Sequence, residues 1–147
     1  MFKRIVWATD GSEASDRCLP LVKTLAAESG GEVLVVHCLE LTLPGKGGGS
    51  FPVHANEDEL QAKIEAQVGQ LSRPGAPARL EKTRARVGGA AQAVAEAAED
   101  GHAEVIVVGT RGHTPIGGLL LGSVTQRLLH IARCPVLVVP ANGAGPG

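Results

Sequence analysis

Apolar residues along this chain fall into short unbroken runs and into helical repeats, and the two kinds of segment alternate. Runs rich in β-branched residues occupy residues 4–9, 33–38, 105–108 and 136–139. Each is long enough for a buried strand and too short for a helix. Unbroken apolar runs, unlike alternating ones, suit a parallel sheet covered on both faces.

The segments between the runs read as helices. The first helix is expected to start near Ser12, with Ala14, Cys18, Leu21 and Leu25 on one face, a bend at Pro20 and a stop at Gly30-Gly31. A second is expected over residues 57–72, where Asn56 and Glu59 have capping-box spacing and Leu60, Ile64 and Val68 recur every four residues. Pro74 and Pro77 then break the chain. Residues 79–87 form a weaker strand, because Lys82, Arg84 and Arg86 would line one face with charge, which an edge position tolerates. The alanine-rich residues 90–100 form a helix of high propensity ending at Gly101. A last helix begins at Ser123, again with capping-box spacing to Gln126, and buries Val124, Leu128 and Ile131. The expected architecture is therefore α/β, with five strands, four helices, right-handed crossovers and no internal repeat.

Length and composition narrow the function classes. The 147 residues give room for one hydrophobic core and not two. A single domain is expected over residues 1–142, followed by a disordered tail, 143–147. The formal charge of -1 and the scattered basic residues leave no phosphate-backbone footprint. One Trp, two Phe and no Tyr disfavour a base-stacking platform, so nucleic acid is not the expected partner. The longest apolar runs fall far short of the roughly 20 residues that cross a bilayer. Lys3, Arg4 and Asp10 bracket too short a stretch for a signal peptide, so no membrane association and a cytoplasmic location are expected. Cys18, Cys38 and Cys134 form no CxxC pair and leave an odd thiol, the pattern of a reducing compartment and of cysteines used as small hydrophobes.

Two loops stand out. Residues 44–56 include Gly45, Gly47, Gly48 and Gly49, a flexible glycine-rich loop that is either a lid over a site or an uninvolved surface loop. The connection from Gly109 to Ser123 is longer than such loops usually are. Its glycines permit close approach of backbone to a ligand, and it ends at a helix N-terminus, where free amides and the helix dipole favour an anion. Ser123 and Thr125 add hydroxyl donors there. Arg111 and His113 either add positive charge or point into solvent. The loop lacks the GKS or GKT ending of a P-loop, and the chain has no GxSxG elbow, no paired-carboxylate arrangement and no histidine at metal-ligand spacing. No catalytic residue and no protein-held metal site are assigned.

The spacing Gly109-x2-Gly112-x9-Gly122-Ser123 resembles the nucleotide-binding motif of the universal stress protein family. The segment Ile5-Val6-Trp7-Ala8-Thr9-Asp10-Gly11-Ser12 is similar to that family's opening strand and Asp-Gly-Ser turn, and Cys134-Pro135-Val136-Leu137-Val138-Val139-Pro140 to its closing strand. The resemblance implies a Rossmann-like open sheet of order 3-2-1-4-5, of the adenine nucleotide alpha hydrolase type, with helices on both faces. It implies ATP as ligand, with Mg2+ or Mn2+, phosphates cradled by Gly109, Gly112, Gly122, Ser123, Val124 and Thr125, and Arg111 and His113 close by. By the same resemblance Ala8, Thr9 and Asp10 line the adenosine end, and Val36 and His37 meet adenine. Asp10 is also placed to cap the first helix, and His37 equally suits plain packing. A homodimer through Val136–Val139 and an unidentified protein partner are implied as well. The function implied is a nucleotide-dependent regulatory module. Its alternatives are a slow ATPase or autophosphorylating protein using Ser123 or Thr125, and a scaffold that has lost nucleotide binding.

Overall fold

A computed structural model describes residues 2–41, 53–86, 88–110 and 122–140. Five strands, β1 (Arg4–Thr9), β2 (Glu32–Leu41), β3 (Arg79–Arg86), β4 (Val105–Gly109) and β5 (Val136–Val139), form one parallel sheet of order β3-β2-β1-β4-β5. Between them lie α1 (Glu13–Asp16), α2 (Leu19–Ser29), α3 (Val53–Leu71), α4 (Ala90–Asp100) and α5 (Ser123–Ile131).

Because successive strand residues point to opposite faces, the unbroken apolar runs sort by parity into two cores. Ile5, Trp7, Val33, Val35, Val105 and Val107 pack on one face with Val22 and Ala26 of α2 and Ile64 and Leu71 of α3. Val6, Ala8, Val36, Ile106 and Val108 pack on the other with Val94, Ala97 and Ala98 of α4 and Leu128 of α5. Each fully buried branched side chain contributes about 1.5–3 kcal/mol, so the central strands β1 and β4 anchor the molecule. At the rim, β3 leaves Lys82, Arg84 and Arg86 exposed, as expected for an edge strand.

The helices depart from expectation in instructive ways. The first expected helix is two, α1 and α2, broken at Arg17-Cys18. Pro20 has no amide to bond the Asp16 carbonyl, and it sits in the first turn of α2, where an amide needs no partner within the helix. Its inner face is Ser15, Cys18, Val22 and Ala26, with Ala14, Leu21 and Leu25 only half buried. The helix expected from residue 57 begins at Val53, so Asn56 lies inside α3 and does not cap it, and residues 53–56 of the glycine-rich loop are helical. The rest of that loop and the tail 143–147 lie outside the described residues. Gly122, not Ser123, is the N-cap of α5 and supplies no side-chain cap bond.

Cys18, fully buried beside Trp7, has its thiol pushed up to about 12. Burial is the main cause, partly offset by the neighbouring Trp7 indole and assisted by the charges of Asp16 and Asp10.

Candidate functional site

The order of the strands places β1 and β4 side by side at the point where their connections diverge to opposite sides of the sheet, and a crevice opens there beyond the strand ends. Its wall is assembled from six elements. Ala8 and Thr9 come from β1, Asp10 and Ser12 from the turn after it, Ala14 and Ser15 from α1, Val36 and Cys38 from β2, and Ala90 and Val94 from α4. Val108, Gly109 and Thr110 come from the end of β4, and Gly122, Val124 and Thr125 from the start of α5. The alanine and valine side chains make the inner part of the cleft apolar, and hydroxyls, one carboxylate and backbone groups gather at its mouth.

The turn after β1 is fixed by its own side chains. The Gly11 amide donates to Thr9 Oγ1 at 3.0 Å, and the Ser12 amide donates to Asp10 Oδ1 at 2.9 Å. Ser15 Oγ donates to the same carboxylate oxygen at 2.9 Å and accepts from the Asp10 amide at 3.2 Å. Ser12, not Asp10, caps α1, accepting from the Ser15 amide at 3.3 Å. Gly11 has φ +82°, a left-handed conformation that side chains disfavour, and a Cβ there would meet Leu60 Cδ1 at 2.2 Å.

Across the cleft, Thr125 Oγ1 donates to the Gly109 carbonyl at 2.9 Å in a buried bond that ties α5 to the end of β4. Gly109 is required for a reason the sequence does not display. A Cβ on it would lie 2.4 Å from the Ala14 carbonyl oxygen, so α1 packs directly on the β4 backbone.

Of the residues named from sequence, Ala8, Thr9, Asp10, Val36, Gly109, Gly122, Val124 and Thr125 come together around this one cavity. Ser123 does not line it; it is exposed and borders a neighbouring groove with Arg127 and His130. His37 sits within β2, not at its exit, on the face opposite the cleft. It is buried, and its Nδ1, which must carry the hydrogen because a carbonyl only accepts, donates to Thr9 O at 3.1 Å. Arg111, Gly112 and His113 lie outside the described residues. Sequence reasoning missed Ser12, Ala14, Ser15, Cys38, Ala90, Val94, Val108 and Thr110. The signals were present, since Cys38 shares the strand face of Val36, and Ala90 and Val94 are one helical turn apart. Among the described residues no three His, Cys, Asp or Glu side chains converge as a metal site requires, and no helix is long and apolar enough to cross a membrane.

Comparison with known proteins gives one consistent relationship. The family model of the universal stress protein family matches residues 1–140. A universal stress protein of Thermus aquaticus is 35% identical over 139 residues, covering 95% of this chain and 99% of the other. A solved universal stress protein of Archaeoglobus fulgidus superposes with TM-score 0.68 at 27% identity, covering 94% of this chain and 98% of the other. Another solved structure of a universal stress protein from that organism, in complex with dAMP, gives TM-score 0.60 at 26% identity, covering 94% and 97%.

Proposed function

The chain belongs to the universal stress protein family, and on that premise we propose that it is a cytoplasmic regulatory module that binds ATP, with Mg2+ or Mn2+, in the cleft between β1 and β4. The observation that carries this proposal is the convergence on one crevice, at the switch point of the sheet, of segments about a hundred residues apart: Ala8–Ser15 on one side, Val108–Thr110 and Gly122–Thr125 on the other.

The chemistry of the lining suits the parts of a nucleotide. Val36, Val94, Val108 and Ala8 offer apolar walls to a base. Asp10 is the one carboxylate among the described lining residues. It repels phosphate and attracts hydroxyl donors or a divalent cation, so the ribose or the metal belongs at that end. Phosphates belong at the opposite rim, where the start of α5 carries amides with no side-chain cap. The spacing Gly109-x2-Gly112-x9-Gly122-Ser123 favours a triphosphate, and the dAMP complex of the Archaeoglobus fulgidus relative supports an adenine nucleotide in a cleft of this fold. When bound, the metal would supply charge neutralisation between phosphates.

Dimerisation through β5 belongs to the same proposal. The carbonyls of Pro135 and Val139 accept from Ile106 and Thr110, so these groups face β4, and the intervening amides of Val136 and Val138 point outward. All four β5 side chains are half exposed in the single chain. Among the described residues no strand pairs with this edge of β5, and an apolar edge of this kind fits pairing with a second copy.

Isothermal titration with ATP, ADP and AMP in the presence of Mg2+ or Mn2+ tests the ligand, with Gly122→Val as the site variant. Gly122 has φ -65°, an ordinary value, so valine is accommodated by the backbone and acts by filling the rim. ATP binding by the unaltered chain and at least about tenfold weaker binding by a folded Gly122→Val are expected. Equal affinity in the two proteins would place the ligand elsewhere.

A further inference from the structure

Lys63 does not line the cleft, yet its ammonium holds the far end of a peptide group whose near end holds Asp10. From the middle of α3, Lys63 Nζ donates to the Gly11 carbonyl at 2.8 Å and lies 2.6 Å from Asp16 Oδ2. Gln67, one turn further on, donates through Nε2 to Asp16 Oδ1 at 3.1 Å. Leu60, one turn earlier, packs against Gly11. Leu60, Lys63 and Gln67 thus turn one face of α3 towards Gly11 and Asp16.

The Gly11 carbonyl and the Ser12 amide belong to a single planar peptide unit. The Ser12 amide donates to Asp10 Oδ1 at 2.9 Å. A cation on the carbonyl end polarises the unit, strengthens the N–H as a donor to the carboxylate and pins the peptide plane. Gly11 has no Cβ to restrict rotation about its Cα–C bond, so bonds at both ends of that peptide fix the plane's orientation.

We propose that Lys63 is a positioning residue for the ligand of the cleft. It acts on Asp10 through the Gly11–Ser12 peptide, and so couples the docking of α3 to the geometry of the ligand site. The assignment of a nucleotide to that site rests on the function proposed above, whereas the clasp is a property of the ligand-free chain.

Three variants of the full chain separate positioning from stability. Lys63→Met keeps the aliphatic stem and removes the charge, Lys63→Arg keeps the charge, and Val68→Ala loosens α3 packing away from the turn. Titration with Mg2+-ATP is expected to show about tenfold weaker binding for Lys63→Met, binding within about threefold for Lys63→Arg, and unchanged affinity for Val68→Ala despite a lower unfolding midpoint. In the ligand-free protein, the 15N-resolved Ser12 amide proton is expected to move upfield in Lys63→Met and to stay near its original position in Lys63→Arg. ATP affinity in folded Lys63→Met equal to that of the unaltered chain overturns the proposal, as does an equal loss in Val68→Ala. If the unaltered chain binds no nucleotide, the function proposed above falls and the Ser12 amide alone decides, an unmoved resonance in Lys63→Met overturning the clasp.

Discussion

A methyl group on Gly109 would lie 2.4 Å from the Ala14 carbonyl oxygen, a contact the β4 backbone and α1 can relieve only by moving apart. Gly109→Ala is therefore expected to cost roughly 1–3 kcal/mol, the usual range for overpacking, read as a lower midpoint in denaturant unfolding. Cys18 gives a second expectation, this one dependent on pH. Its thiol is raised from 9.0 to about 12 in the fold, mainly by burial. The unfolded chain therefore loses this proton at lower pH than the folded chain does. Its contribution is fully present below pH 9 and is lost as pH rises towards 12, on the order of 4 kcal/mol in total. The chain has no Tyr to titrate in that window. Stability curves of Cys18→Ala and the unaltered chain should accordingly converge as pH climbs, and parallel curves would contradict the burial argument.

Each element is held to the site by few but specific bonds. The buried bond from Thr125 Oγ1 to the Gly109 carbonyl is the direct polar tie between the start of α5 and the end of β4. Thr125→Val preserves the shape and leaves the carbonyl unsatisfied, so a loss of roughly 1–3 kcal/mol is expected, with faster hydrogen exchange in the first turn of α5. The boundaries of α1, α2 and α5 show why element ends were harder to read than their existence. A helical repeat in sequence continues straight through Arg17-Cys18. The break comes from the amide that Pro20 lacks and from the burial of Cys18 against Trp7. Likewise Ser123 and Gln126 have the spacing of a capping box, but the chain enters α5 one residue earlier in register, with Gly122 at the cap.

For the molecule as a whole, the open edge at β5 is the feature with the largest consequence. With the Val136 and Val138 amides outward, Val138→Pro removes a donor from the free edge and leaves the bonds to β4 in place. Sedimentation of the unaltered chain should show a dimer, and Val138→Pro should shift it to monomer at the same concentration while retaining the far-ultraviolet circular dichroism spectrum. A monomer in both cases would remove β5 from consideration as an interface.

Hydrophobic runs and their punctuation determined four of the strands and the α/β class, because burial on both faces of a parallel sheet leaves no polar alternation to mislead, and the charged face of residues 79–87 marked β3 and its edge position. The glycine spacing and the Asp-Gly-Ser turn marked both halves of the candidate site at a distance in sequence. Tertiary structure alone decided which side of a strand each residue occupies at the cleft, putting Val36 and Cys38 on its wall and His37 behind it. It alone showed that Gly109 makes room for α1 and that Lys63 reaches across to the turn carrying Asp10. Such contacts join segments tens of residues apart, and local spacing carries no record of which backbone atom a distant side chain will meet.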